Sequence, residues 1–103
     1  MSYKITRIAV RQDPSTPFFE DANIPQMDEV VAYINTTYRD TGKLLSKTTT
    51  IDDANITCTT ELVWVSAEAW NEFVSDQYLR NNFFIVTTQY EATNSIFSTF
   101  SAQ

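Results

Sequence analysis

Histidine is absent from this 103-residue chain, and cysteine and glycine occur once each, as Cys58 and Gly42. A transition-metal centre draws on histidine or on several cysteines, so none is expected. One cysteine forms no internal disulfide. Cys58 lies among alternating apolar positions and would need an activating cation or base to act as a nucleophile, so it reads as core. Loops that cradle phosphate use glycine to bring backbone amides close to the ligand, and Gly42 alone builds no such loop. Nucleotide cofactors fall away with it, and no cofactor is expected.

Basic residues are scarce as well: seven Lys and Arg against thirteen Asp and Glu, a net charge of −6. Such a surface repels polyanions, which argues against nucleic acid and anionic membrane as partners. No apolar run approaches the length of a membrane span, and Met1 leads into SYKITRIAV without a signal-peptide layout, so the chain reads as cytoplasmic. The triplets Asn35-Thr36-Thr37 and Asn55-Ile56-Thr57 are then chance matches to a glycosylation pattern. Asp52 and Asp53 could offer oxygens to a hard cation, but next to Ala54-Asn55 they read first as a turn, and no metal site is assigned.

What remains is 43% hydrophobic and 14% aromatic, the composition of a globular protein and, at this length, a single domain, residues 1–103. Tyr3 to Arg11 reads as a strand whose apolar set changes phase, with Tyr3 and Ile5 pointing one way and Ile8 and Val10 the other. Either it bulges or both of its faces are covered. The next segment holds all three prolines and reads as a loop carrying Phe18 and Phe19, as core packing or as a pocket lid.

From Met27 the period becomes helical, with Met27, Val30, Val31, Ile34 and Tyr38 on one stripe. Pro25 fits the first turn, Asp28 and Glu29 suit the positive end of the dipole, and Gly42 is placed to terminate the helix in a left-handed conformation. Residues 44–51 and 56–65 flank a turn cluster and read as an antiparallel hairpin. Its second strand puts Ile56, Cys58, Leu62 and Trp64 on one face and Thr57, Thr59 and Glu61 on the other.

Ser66 caps a second helix with Trp70, Phe73, Val74 and Tyr78 on one stripe, fraying at Arg80. Residues 83–92, FFIVTTQYEA, read as the last strand, because aromatic and β-branched residues suit a pleated surface. Residues 93–103 keep Ile96, Phe97 and Phe100 and read as a tail that docks, for instance on a partner subunit.

This order of elements is the ferredoxin-like βαββαβ arrangement of the α+β class, an antiparallel sheet with two helices on one face. The opposite face carries Val63, Val65 and one apolar set of the first strand. Cover by a second copy is expected, the two sheets closing face to face as a dimeric α+β barrel. RNA-recognition domains share the order, but their aromatic and basic signature is missing.

Gly42 after the first helix, the hairpin, and then Trp64-x-Ser66-x-Glu68-Ala69 carry a family resemblance. Over residues 27–79 the chain resembles the antibiotic-biosynthesis monooxygenase-like group of dimeric α+β barrels, where a strand-end tryptophan and this spacing recur. The resemblance implies a fold and a homodimer more than an activity. Where many members of that group have histidine, this chain has Phe73. The haem-degrading branch has tryptophan there, a histidine about where Phe83 stands and an asparagine on the first strand, and residues 3–11 contain none. No catalytic residue is carried over.

If Arg7, Glu61 and Gln89 share the open face with Thr57, Thr59 and Thr87, they line a partly polar hollow closed by Phe18 and Phe19, suited to a small apolar or aromatic ligand. Rows of threonine also describe an ordinary solvated sheet, and Arg7 with Glu61 could be no more than a cross-strand pair. Trp64, Trp70, Tyr78 and Tyr90 would stack on an aromatic ligand, although their spacing assigns them first to packing. The favoured reading is a small homodimeric barrel without catalysis, structural or small-ligand-binding. The alternative is a cofactor-free monooxygenase or isomerase acting on a small aromatic or polyketide-like molecule in the barrel interior, with Glu61 as the one candidate acid or base.

Overall fold

The structure, a computed structural model, describes residues 2–102. β1 (Tyr3–Val10) pairs antiparallel with β3 (Thr57–Trp64) on one side and with β4 (Phe97–Ala102) on the other, and β2 (Leu44–Ile51) extends the sheet beyond β3. The order β2-β3-β1-β4, with the helices on one face, is the ferredoxin-like α+β arrangement.

The register of β1 runs unbroken from Tyr3 opposite Trp64 to Val10 opposite Thr57. β1 therefore has no bulge. Tyr3, Ile5, Arg7 and Ala9 point toward the helices, and Lys4, Thr6, Ile8 and Val10 point away. The change of phase in its apolar pattern comes from Arg7, a charged residue in an inward position. The irregularity lies in β2 instead, between Leu44 and Ser46, and leaves Leu45 as the extra residue.

α1 (Met27–Ile34) follows Gln26, which adopts a left-handed φ of 68°, and carries Asp28 and Glu29 in its first turn. It runs on into a π-helical turn, Asn35–Arg39. Gly42, at φ 80°, ends it, its N–H donating to the Arg39 carbonyl at 3.0 Å. The wider turn adds a residue to the helical repeat. Tyr38 is buried in the core, whereas Val31, expected on the same stripe, is exposed.

Ser66 is extended and its Oγ accepts from the Ala69 N–H at 3.2 Å, capping α2 (Ala67–Ser75) as expected. Asp76 then breaks the helix with an extended ψ of 118° and caps the next segment, its carboxylate accepting from the Leu79 N–H at 3.2 Å. That segment comprises α3 (Gln77–Leu79), a π-helical turn Arg80–Phe84 and α4 (Ile85–Thr93).

Residues 83–92, read from the sequence as the last strand, are thus helical. The fourth strand lies in the segment read as a tail, as an edge strand of the chain's own sheet. Phe83 and Tyr90 both face Phe19, with ring centroids 6.0 and 5.7 Å away, and Phe84 faces Phe73 at 5.4 Å. Aromatic residues that favour a strand locally find their partners across a helical face, and packing overrides propensity.

Trp64, 0% exposed, is the centre of the main core, with the rings of Phe73, Trp70 and Tyr38 at 4.9, 5.7 and 6.1 Å. Ile5, Val30, Leu44 and Leu79 pack into the same cluster. A smaller cluster of Ala9, Phe18, Cys58 and Ile96 fills the other end. Among the described residues no helix is long and apolar enough to cross a membrane.

The Trp64 indole Nε1 has no hydrogen-bond partner among the described residues. Trp64→Ala should therefore cost about 3–5 kcal/mol. Trp64→Phe should cost clearly less, because it keeps ring contacts and removes an unsatisfied donor. Urea denaturation of the two variants measures the difference.

Candidate functional site

Register lays out the side of the sheet away from the helices. Across β2, β3 and β1, one row holds Ser46, Val63 and Lys4. The next holds Thr48, Glu61 and Thr6 with Ser101 of β4, and the one after it Thr50, Thr59 and Ile8 with Thr99. The last holds Thr57, Val10 and Phe97.

Two apolar groups therefore occupy opposite corners. Ile8, Val10 and Phe97, the last 64% exposed, lie at the β1–β4 corner; Val63, with the exposed Val65 and the bulged Leu45 at 52%, lies at the β2–β3 corner. Hydroxyls fill the ground between them, together with an ion pair of Lys4 and Glu61 at 3.0 Å. Thr6, near the centre, is buried and its Oγ1 has no partner among the described residues.

The helix-facing side has its own polar group. Arg7 forms an ion pair with Glu91 of α4, and the second Glu91 oxygen accepts from the Ser98 hydroxyl at 2.8 Å. The guanidinium lies 5.9 Å from the ring centre of Phe100. Directly across the sheet from Arg7 is Thr60, 4% exposed, its Oγ1 without a partner among the described residues. Cys58 is buried, and burial, followed by the charge of Glu20, pushes its thiol up, away from the thiolate that nucleophilic chemistry needs.

A third polar group joins α1 to the α2–α3 junction. The hydroxyls of Tyr33 and Tyr38 donate to one Asp76 oxygen at 2.6 and 2.7 Å, and the other oxygen caps α3. Burial works to raise the Asp76 carboxyl, but the two phenols and the amides of Leu79 and Tyr78 outweigh it and hold it below its ordinary value. Burial and then the bond to Asp76 push the Tyr38 phenol up. Both oxygens of the carboxylate are engaged, which makes this a latch between helices.

The residues expected to share one hollow occupy three places. Thr59 and Glu61 are on the open face with Thr57, and Glu61 pairs with Lys4 and not with Arg7. Arg7 has the parity of Ile5 and Ala9 and lies on the opposite side. Phe18 and Phe19 are buried on that side too, Phe18 beneath the Arg11 guanidinium at 4.2 Å and Phe19 against Phe83 and Tyr90, so they pack in the core and cover no open-face hollow.

Thr87 and Gln89 are on α4, where the Thr87 hydroxyl donates to the Phe83 carbonyl at 2.7 Å and Gln89 borders a wide surface hollow with Val74, Arg80 and Ile85. Asp52 holds the hairpin turn, accepting from the Ile56 and Thr57 amides at 2.9 Å each. Sequence reasoning passed over Glu91 and Thr60. Alternation would have placed Thr60 beside Cys58 and Leu62, but Glu91 was hidden by the strand reading of its segment.

No family model matches the chain, and neither does any curated protein. Solved structures share its fold. A dimeric ferredoxin-like protein from an uncultured marine organism superposes with a TM-score of 0.59 at 12% identity, over 99% of this chain and 92% of that one. SnoaB, a cofactor-independent oxygenase from Streptomyces nogalater solved as a mutant, superposes with a TM-score of 0.53 at 10% identity, over 99% of this chain and 89% of that one. The resemblance to the monooxygenase-like barrels thus holds at the level of the fold.

Because the folded Asp76 carboxyl titrates below its unfolded value, its contribution to stability is present above the ordinary carboxylate range and is lost as pH falls through the folded value. Asp76→Asn should cost about 2 kcal/mol at neutral pH. The gap between variant and wild type should shrink between roughly pH 5 and pH 2. Urea titrations of both proteins across that range measure it.

Proposed function

We propose that the protein is a homodimer whose sheets close face to face into a barrel, and that it serves as a structural or small-ligand-binding unit without catalysis. The observation that carries this reading is the uncovered sheet face, with its two exposed apolar corners at Phe97 and Leu45. Exposed apolar groups of this kind mark interaction surfaces. Three strands of eight residues and one of six, about 4.8 Å apart, present roughly 500 Å² in projection. That is on the scale of the about 800 Å² of accessible surface each partner buries in a stable complex. The ferredoxin-like neighbour is itself described as dimeric, which supports a second copy as the occupant.

The corners also bear on how two copies meet. A twofold axis between the sheets, running along or across the strands, would set each apolar corner over a polar one. An axis along either diagonal sets apolar on apolar and crosses the two sets of strands steeply, the orthogonal class of sheet packing. The middle then holds Thr6, Thr59, Thr99 and the Lys4–Glu61 pair of each copy. An interior of hydroxyls between apolar ends suits a small neutral ligand.

The second reading, a cofactor-independent oxygenase acting on a small aromatic or polyketide-like molecule, draws on the fold shared with SnoaB. Glu61, its candidate acid or base, is tied to Lys4, and this favours the noncatalytic reading.

Sedimentation at micromolar concentration should give a dimer, and Phe97→Asp, which replaces a ring exposed in a single subunit, should give a folded monomer with a lower Tm that no longer rises with protein concentration. A wild-type monomer would remove the barrel and its interior together.

A further inference from the structure

Two arginines enter the interior, and they are used differently. Arg11 donates to the Asn55 and Thr16 carbonyls and lies over Phe18, so the β1–α1 loop and the hairpin turn occupy it fully. Arg7 is met by one carboxylate, that of Glu91, carried on a separate element. Glu91 is the one buried residue of α4, which is bounded by the π-helical turn Arg80–Phe84 and by Ser95 in a left-handed conformation, φ 56°. Across the sheet from Arg7, the buried Thr60 hydroxyl is without a partner among the described residues.

We infer that Arg7 anchors a ligand site between the sheet and α4, that the ligand is a small planar monocarboxylate, and that Glu91 is the internal carboxylate holding its place. The paired donors of a guanidinium match the two oxygens of a carboxylate, whereas Glu91 gives Arg7 one oxygen and turns the other to the Ser98 hydroxyl. A ligand carboxylate that displaces Glu91 keeps the buried cation paired, and the Thr60 hydroxyl is on hand as a further donor. A dianion is disfavoured, because other cations on this side are engaged: Arg11 by the Asn55 and Thr16 carbonyls, and Lys47, two strands away, by Glu20 at 3.7 Å. Phe100 gives the site its preference for a flat apolar body: its half-exposed ring lies 5.9 Å from the guanidinium and 5.8 Å from the Trp70 ring. Displaced, Glu91 turns out to water with the end of α4. The site lies on the opposite side of the sheet from the proposed dimer interface and stands independently of it.

Calorimetric titration of the full chain with sodium benzoate tests this. Glu91→Gln removes the internal competitor and should tighten benzoate binding by about tenfold or more over wild type. Adding Arg7→Gln to that variant should abolish binding, and benzamide, flat but uncharged, should bind neither protein. Equal benzoate affinity in wild type and Glu91→Gln, or benzamide binding as tightly as benzoate, overturns the assignment. Should Glu91→Gln fail to fold, Ser98→Ala decides, since it frees the second Glu91 oxygen: tighter benzoate binding supports the site and unchanged affinity overturns it.

Discussion

The guanidinium of Arg7 lies on the inward side of a strand that is paired along both edges, and that placement constrains much of what surrounds it. β1 cannot turn over, because Ile5 and Ala9 on the same side belong to the two core clusters. The charge is carried inward with them, and a buried cation left unpaired costs about 3–5 kcal/mol. Glu91 meets it from above the sheet, which requires an element lying over the strands instead of among them. Residues 85–93 form that element as α4, and the place beside β1 falls to residues 97–102. Ser98 and Phe100 of that strand then complete the surroundings of the same pair.

The interior is accordingly divided. At one end the rings around Trp64 fill the space between the sheet and α1, α2 and α3, and Asp76 ties the helices together through two phenols. At the other end a smaller cluster holds the long loop against the sheet through Phe18. The Arg7–Glu91 pair lies between them. Charge at this boundary contributes little net stability compared with apolar filling of the same space, but loss of either partner would leave the other buried and unpaired.

Phe73, at the position where the sequence resemblance implied histidine in many members of the monooxygenase-like group, contacts Trp64, Tyr38, Trp70 and Phe84 in the centre of the aromatic cluster. A side chain there that moved protons would need water or a partner, and this one has rings on several sides. Within the fold shared with SnoaB this position is thus filled by packed rings, and a charged pair of the interior lies on β1 and α4.

Local pattern was enough for the first helix and its stop at Gly42, for the hairpin, for the Ser66 cap and for the ferredoxin-like order of elements. Each rests on contacts within a few residues of chain: a 3.6 period, a left-handed glycine, a side-chain oxygen over a helix end. The two faces of β3 were legible for the same reason, since alternation is a property of the strand itself. The choice between residues 83–92 and 97–102 for the fourth strand was not. FFIVTTQYEA has strand propensity, and only the rings of Phe19 and Phe73 and the charge of Arg7, far away in sequence, make it a helix. The partner of Glu61 was settled in space as well: inward and outward positions on β1 depend on which side the core forms, and Arg7 and Glu61, expected on one face, lie on opposite sides of one sheet.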